Sequence, residues 1–295
     1  MQSAAPSAAE IRAVAQSRVR LELLSNLVRK DLKVKYKNSA LGFLWSLANP
    51  LLYLAVFGVV FTKFLKNGIP DFWVLFMSGL LVWNFFSLST MSATGSVIGN
   101  ANLVRKVRFP RVVLPLSSIG FAGVHFLLQM AVLLIALLAF HRHSFGPQLV
   151  LWLPAFVVAV VFTVGMALLA SSLNVRYRDV EHLLEVAMIA WFWLTPIVYP
   201  VTLVKQELFG RLHGALWYLF MGSPMTAVVT SMQRAIYRDP VVLRTDSQQP
   251  YQVLAASGYG FYLKWLAIDA LVALVVLALG LWVFRRLEGD FAEEL

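Results

Sequence analysis

Long stretches without a charged side chain divide this chain of 295 residues. After Lys37, Asp71, Arg111 and Arg142, the next charged residue comes only after 25, 33, 30 and 33 uncharged positions, respectively. About 20 mostly apolar residues cross a bilayer as a helix. These stretches and two shorter ones therefore predict an all-α membrane protein with six transmembrane helices. The predicted helices lie at residues 43–62, 74–94, 112–140, 149–173, 184–204 and 265–284.

The composition argues against an ordinary water-soluble domain. Hydrophobic residues make up 59% of the chain and charged residues 14%, whereas soluble proteins contain about 25% charged residues. Cysteine is absent, which excludes disulfides, thiolate metal sites and a cysteine nucleophile. The net charge of +10 would suit nucleic acid, but its distribution indicates a membrane surface and no nucleic-acid partner.

Basic residues are distributed unevenly about the predicted helices. Residues 1–42 contain eight of them, and the loop between the second and third helices contains four with no acid. The short loops on the opposite side contain only Lys63, Lys66 and Arg142. The positive-inside rule, together with the lack of a signal-peptide pattern at the start, predicts a multi-pass protein of the cytoplasmic membrane with both termini cytoplasmic.

Residues 205–264 are predicted as an extracytoplasmic loop with an unusual apolar part. Residues 212–233 contain no Asp, Glu, Lys or Arg and are interrupted by Gly222-Ser223-Pro224. A seventh transmembrane helix would place the basic C-terminus outside, whereas a re-entrant helix pair keeps it inside, and interrupted helices are tolerated where they line a cavity. We favour the re-entrant pair. The predicted regions are the cytoplasmic N-terminus 1–42, helices one to five at 43–204, this loop, helix six at 265–284 and the cytoplasmic tail 285–295.

The segment before the first predicted helix has a different pattern. Apolar residues from Leu21 to Val34 recur at helical spacing opposite a basic face, which predicts an amphipathic interface helix on the inner leaflet. Its two candidate roles are a membrane anchor and a contact with a cytoplasmic partner. The residues assigned to this interface helix are Arg29, Lys30, Lys33, Lys35 and Tyr36.

Two charged segments on the predicted cytoplasmic side are candidate contacts for a cytoplasmic partner, and we call them the coupling segments. The first presents cations next to a Pro-fixed turn, and plain positive-inside retention is its alternative role. The second has mixed charge, so its members either pair with one another, hold a partner or, for the arginines, bind a diphosphate through the planar guanidinium. The coupling residues are Arg105, Lys106, Arg108 and Phe109 in the first segment and Arg176, Arg178, Asp179 and Glu181 in the second.

Aromatic residues concentrate in the predicted outer half. Aromatic rings pack against the C–H faces of sugars, so they are candidates for a glycan channel and gate; an interfacial aromatic belt is the alternative that needs no substrate. The candidates are Trp191, Trp193 and Tyr199 in the fifth helix, and Trp217, Tyr218 and Phe220 before the helix break at Pro224.

Asp269, near the start of the sixth predicted helix, has two interpretations. An intramembrane carboxylate is a functional-site candidate by default, whereas a position at the outer interface beside Lys264 needs no function. His141 and His143 are a weak metal signal without a nearby carboxylate, so no metal and no catalytic residue are predicted.

Five motifs follow one another in a fixed order along the chain: Arg29 to Trp45 with Asn49-Pro50-Leu51, Asn100 to Arg111 with Leu114-Pro115, Asn174 to Asp179, Thr195 to Pro200, and Ser223-Pro224-Met225. Together they resemble the membrane subunits of ABC-2 type polysaccharide exporters, which move O-antigen, capsule, teichoic acid or cell-wall galactan. The last motif departs from the family's usual Asn-Pro, which leaves the helix break intact. The tail from Leu287 to Leu295 also resembles the end of such subunits.

The resemblance implies a homodimer bound to two copies of a separate ATPase, which the two coupling segments would contact, and a glycan carried on undecaprenyl diphosphate. The chain contains no Gly-x-x-x-x-Gly-Lys-[Ser/Thr] loop, so ATP and Mg are expected on the partner and no cofactor is expected here. The alternatives are an ABC-2 exporter of drugs or lipids and a membrane-embedded glycan-modifying transferase. The transferase would need acids or histidines converging at the membrane face, and the sequence offers only scattered ones.

Overall fold

A computed structural model describes residues 8–35, 37, 39, 45–60, 69–107, 109–140, 146–207, 214–237, 241–243, 250–254 and 258–295. Almost all of these residues are helical. A short antiparallel hairpin pairs β1 (Val241–Leu243) with β2 (Pro250–Gln252). The helices are α1 (Ala8–Lys35), α2 (Trp45–Val59), α3 (Phe72–Thr94), α4 (Ser96–Gly99), α5 (Ala101–Lys106), α6 (Val113–Ala139), α7 (Trp152–Arg176), α8 (Val180–Leu194), α9 (Val201–Glu207), α10 (Gly214–Met221), α11 (Pro224–Ile236), α12 (Tyr259–Leu287) and α13 (Phe291–Glu294).

Among the described residues, four helices are long and apolar enough to cross a bilayer. They are α3 with 23 residues, α6 with 27, α7 with 30 when its preceding 3₁₀ turn (Pro147–Leu151) is included, and α12 with 29. At about 1.5 Å per residue, each exceeds the roughly 30 Å of a hydrocarbon core. They correspond to the second, third, fourth and sixth predicted helices, although α12 begins at Tyr259 rather than at residue 265.

The predicted continuous fifth helix at 184–204 is wrong. α8 ends at Leu194, and a new helix, α9, begins only at Val201. Thr195 has an extended backbone (φ −91°, ψ 135°), because a residue that precedes proline avoids the helical region. Of the first predicted helix at 43–62, the structure describes residues 45–60, and α2 accounts for all of them except Val60. Whether these two regions cross the bilayer stays a prediction.

α7 packs closely against α12, and two glycines permit this approach. A Cβ added to Gly165 would lie 2.6 Å from the backbone nitrogen of Leu277, and one added to Gly280 would collide with the Gly165 carbonyl. Small residues let helix backbones approach in membranes, where packing rather than hydrophobic burial drives association. The central α3 packs against α6, α7 and α11, which places α11 inside the bundle.

The buried side chains form two main clusters. The first core runs through the middle of the bundle and includes most of α3, with Phe86 and Phe162 stacked at 5.4 Å. The second core lies at the end of the bundle where α6 begins and α7 and α12 finish. Its buried members are Leu27, Val97, Val104, Val113, Leu114, Leu168, Val175, Phe284 and Phe291.

Candidate coupling surface and gate

The predicted interface helix α1 packs against α6, and the second core buries its Leu27. A Cβ on Gly120 of α6 would lie 2.8 Å from Val28 Cγ2, so the two helices are in close contact. Leu21 and Val34 remain exposed. The helix therefore rests on its own bundle through part of its apolar face, a contact that neither predicted role included.

The four described basic residues of the interface helix divide into two groups. The ammonium of Lys30 donates a hydrogen bond to Asn100 Oδ1 at 2.9 Å. Lys35 Nζ lies 3.5 Å from His125 Nε2 and 5.1 Å from the centre of the Phe121 ring, and partial burial lowers the pKa of Lys35. Arg29 and Lys33 are exposed, while Tyr36 lies outside the described residues.

Lys35 of this helix thus contacts α6, and Lys30 contacts the α4–α5 junction. Asn100 is fixed at that junction because its Nδ2 also donates to the Ser96 carbonyl at 2.8 Å. Nothing in the sequence singles out Asn100 from the other residues of its motif. The structure makes it the link between the interface helix and the first coupling segment.

The first coupling segment forms the short helix α5 and the turn after it. Val104 is buried in the second core and Phe109 packs against the same core, so the segment is anchored on its apolar side. Arg105 and Lys106, in the last turn, are exposed. Within the described part of the chain, neither forms an ion pair. Arg108 lies outside the described residues.

The second coupling segment is the turn between α7 and α8. Arg176, Arg178 and Asp179 are exposed there, and the Arg176 guanidinium lies 5.9 Å from the Tyr177 ring centre. Glu181 is half-buried, and both of its carboxylate oxygens lie 3.9 Å from where a Gly95 Cβ would be. Among the described residues, no ion pair joins these arginines to Asp179 or Glu181, so the structure shows no sign of the pairing alternative, and binding of a partner or a diphosphate stays a prediction.

The predicted helix break between α10 and α11 is present. α10 has eight residues, α11 has 13, and the turn at Gly222 and Ser223 separates them. Pro224 is the first residue of α11, where its missing N–H costs no hydrogen bond and its fixed φ suits a helix. At about 1.5 Å per residue neither helix is long enough to cross a bilayer. α11 is almost entirely buried against α3, α7 and α12.

A second break, at Thr195-Pro196, contacts the first through Gln233. The Gln233 amide on α11 donates to the buried Pro196 carbonyl at 2.9 Å, and Thr195 Oγ1 donates to the Trp191 carbonyl at 2.8 Å. A Cβ on Gly79 would lie 3.1 Å from Gln233 Nε2, so glycine makes room for this amide. The sequence analysis did not single out Gln233; the available signal was an amide at the end of the uncharged stretch that follows the helix break.

The predicted channel aromatics occupy different environments. Trp191 lies in the bundle, with its ring 5.2 Å from Phe86 and 5.9 Å from Phe162. Trp193 is 60% exposed, and the half-buried Tyr199 donates its hydroxyl to the Trp193 carbonyl at 2.9 Å. Of the two tryptophans, only Trp193 presents its ring outside the protomer.

On α10 the aromatic residues face two ways. Trp217 and Phe220 are half-buried and stack with ring centres 6.1 Å apart. Tyr218 is exposed, although its ring lies 5.9 Å from that of Trp265 on α12. α10 thus packs against α12 on one side, and its other side is exposed.

Asp269 is fully buried, with 0% exposure, and in the described part of the chain neither carboxylate oxygen has a hydrogen-bond partner. Because α12 begins at Tyr259, Asp269 lies about three turns into the helix rather than about one turn. Lys264, on the same helix, is exposed. The burial of Asp269 favours the intramembrane interpretation, and both interpretations stay predictions.

An open cleft of about 810 Å³ lies between α2, α3 and the end of α6. Of the described residues that line it, Asp71 alone is ionisable, and the others are apolar and include Trp73 and Phe140. Such a lining suits hydrocarbon rather than sugar hydroxyls. The cleft is therefore separate from the aromatic candidates for a glycan path.

Comparisons with known proteins match almost the whole chain. The family profile described as ABC-2 type transporter matches residues 22–237. The O-antigen export system permease protein RfbA of Klebsiella pneumoniae is 29% identical over 277 residues, covering 93% of this chain and 95% of that protein. The protein of the same name from Myxococcus xanthus is 29% identical, with coverage of 92% and 95%.

A more distant relative is the polysialic acid transport protein KpsM of Escherichia coli, 20% identical over 220 residues, which cover 71% of this chain and 79% of that protein. The matched region runs from α1 through α11 and includes both coupling segments and both helix breaks. The chain belongs to the ABC-2 type transporter family.

Proposed function

We propose that this chain is the permease subunit of an ABC transporter that exports a lipid-linked, O-antigen-like polysaccharide across the cytoplasmic membrane. The observation that carries the proposal is the end-to-end similarity to two O-antigen export permeases, each matched over 95% of its length. A drug or lipid exporter of the same family would share the fold, but the cargo named for these relatives and for the more distant KpsM is a polysaccharide.

The energy source in this proposal is a separate ATPase. ABC-2 permeases work with ATPase subunits, and the chain has no phosphate-binding loop of its own. Two copies of the chain would assemble with two ATPase copies, which hold the ATP and Mg. The chain itself performs no covalent chemistry and moves a glycan attached to undecaprenyl diphosphate.

The proposed orientation places the second core at the cytoplasmic face and both chain ends in the cytoplasm. In support, the segments that the basic residues assign to that face, including α5, the end of α7 and the tail, all contribute to this one cluster. Segments assigned to the opposite face also contact one another, since Tyr237 donates to the Pro70 carbonyl at 2.6 Å and Thr202 donates to the Val253 carbonyl at 3.2 Å.

In this orientation the exposed cations Arg105 and Lys106 meet the ATPase, and α1 transmits movement from the α4–α5 junction along the inner leaflet. The α7–α8 turn, with Arg176 and Arg178, offers guanidinium groups to the ATPase or to the diphosphate of the carrier. α10 and α11 form a re-entrant gate, and the exposed rings of Trp193 and Tyr218 line the glycan path between the two copies.

The proposal is tested by purifying the tagged chain from its native membranes with its bound ATPase. The complex is reconstituted, and ATP turnover is measured with undecaprenyl-diphosphate-linked glycan, with phospholipid alone and with a lipophilic cation. We expect turnover to rise with the lipid-linked glycan, and the glycan to appear on the far side of the vesicle. A complex stimulated only by the lipophilic cation would identify a drug exporter, and a chain that purifies without any ATPase would contradict the proposal.

A further inference from the structure

The C-terminal segment after α12 folds back onto the bundle. Phe291, the first residue of α13, is 1% exposed and belongs to the second core. Its ring meets that of Phe284 edge-on, with centres 5.4 Å apart and planes at 89°. The amides of Glu293 and Glu294 both donate to the Asp290 carbonyl, at 2.9 and 3.1 Å, which closes the short helix.

Arg111, at the start of α6, ties this segment down. One of its guanidinium nitrogens donates to the Glu288 carbonyl, and the guanidinium lies 6.0 Å from the Phe291 ring centre. From the sequence, Arg111 was only one of the four basic residues of its loop. In the structure its guanidinium is used within the chain, which distinguishes it from the exposed Arg105 and Lys106 of the same loop.

α13 contacts α5 and α7. Its buried side is Phe291, and its exposed side carries Glu293 and Glu294. The last turn of α5 carries the exposed Arg105 and Lys106. The two short helices are therefore fixed side by side on the second core and present opposite charges at the same end of the bundle.

We propose that α5 and α13 form a single docking surface for the ATPase subunit, and that Phe291 and Arg111 are the residues that position α13 in it. This inference rests on the proposed function. A partner that fits the surface carries acidic side chains opposite Arg105 and Lys106 and basic side chains opposite Glu293 and Glu294. A displacement of α5 by the ATPase is then transmitted through α13 to α12, because Phe291 of α13 packs on Phe284 of α12.

The first test maps proximity in the assembled transporter. A photoreactive amino acid replaces Glu293, Arg105 or, as a control at the other end of the bundle, the exposed Val150. We expect the ATPase to be captured from positions 293 and 105 and not from 150. Capture from 105 without capture from 293 would overturn the inference and leave the proposed function intact, whereas capture from neither position would contradict both.

The second test compares Phe291→Ala with Phe291→Leu, which keeps an apolar side chain, and with Gly289→Ala, where an added Cβ meets nothing within 4 Å. The readout is glycan exported per ATP hydrolysed, measured on equal amounts of assembled complex. We expect Phe291→Ala to lower this ratio by about two- to thirtyfold, the range for substitutions between coupled sites. Phe291→Leu should restore most of it, and Gly289→Ala should leave it unchanged. An unchanged ratio in Phe291→Ala would overturn the positioning role.

Discussion

The Lys30 ammonium on the interface helix donates a 2.9 Å hydrogen bond to the side-chain carbonyl of Asn100. This bond joins two elements that lie 70 positions apart and that the sequence predicted separately. It connects α1 to the α4–α5 junction, and Leu27 of α1 and Val104 of α5 lie in the same second core.

Replacing Lys30 by Met should therefore weaken coupling while leaving the membrane helices in place. The bond is partly exposed, so its loss should cost about 1 kcal/mol or less in stability, and the effect should be seen in export per ATP. Lys33→Met is the matched control, because Lys33 is exposed on the same helix. A double-mutant cycle with Asn100→Ala measures the interaction between the two side chains. Additive effects on export per ATP would show that their hydrogen bond does not contribute to coupling.

Reversing two charges on α5, Arg105→Glu with Lys106→Glu, should separate ATP hydrolysis from export. The cations are exposed and anchored to the second core only through the apolar side of their helix, so insertion and folding should persist. Arg285→Glu with Arg286→Glu makes the same change in net charge at the end of α12. Equal loss in both pairs would point to plain positive-inside retention, and full export in the α5 pair would end the coupling assignment.

The two tryptophans of α8 should respond differently to truncation. Trp191→Ala removes a ring packed on Phe86 and Phe162, so it should cost about 3–5 kcal/mol of stability and lower the melting temperature in detergent. Trp193→Ala with Tyr199→Ala should leave assembly and melting temperature nearly unchanged and slow glycan export. A normal export rate in the second variant would favour an interfacial belt.

Enlarging Gly165 should disrupt the α7–α12 pair. Gly165→Leu places a side chain against the backbone of Leu277, and overpacking of this kind costs about 1–3 kcal/mol. Gly123→Ala, within α6, is the control, because its Cβ would meet nothing within 4 Å. Thermal unfolding in detergent measures the difference, and equal melting temperatures would contradict the close approach of the two helices.

Substitutions of Asp269 should affect stability and glycan export differently. Because its carboxylate is buried with no partner in the described part of the chain, replacing it with Leu should leave stability unchanged or raise it. Intramembrane ionisable groups are retained for function, so export by Asp269→Leu and by Asp269→Asn should fall. Wild-type export in both variants would show that the group has no part in transport.

The sequence by itself determined the class of fold. Uncharged stretches of 30 and 33 residues leave α6 and α7 no environment but lipid, and Pro224 after Gly222 and Ser223 places the break between α10 and α11 regardless of what packs around it. The break at Thr195-Pro196 has the same kind of local cause, although the prediction extended a helix across it. These features are local, since they depend on hydration of a single helix and on the backbone chemistry of one or two residues.

Only the tertiary structure decided which of the candidate residues work together. Nothing in the sequence distinguishes Arg111, which holds the tail, from Arg105, which stays exposed, or Trp191 in the core from Trp193 outside it. Each of these roles depends on which distant helix lies opposite the side chain. That choice is made by helix packing, through contacts such as Gly165 against Leu277 and Phe284 against Phe291, and hydropathy does not encode it.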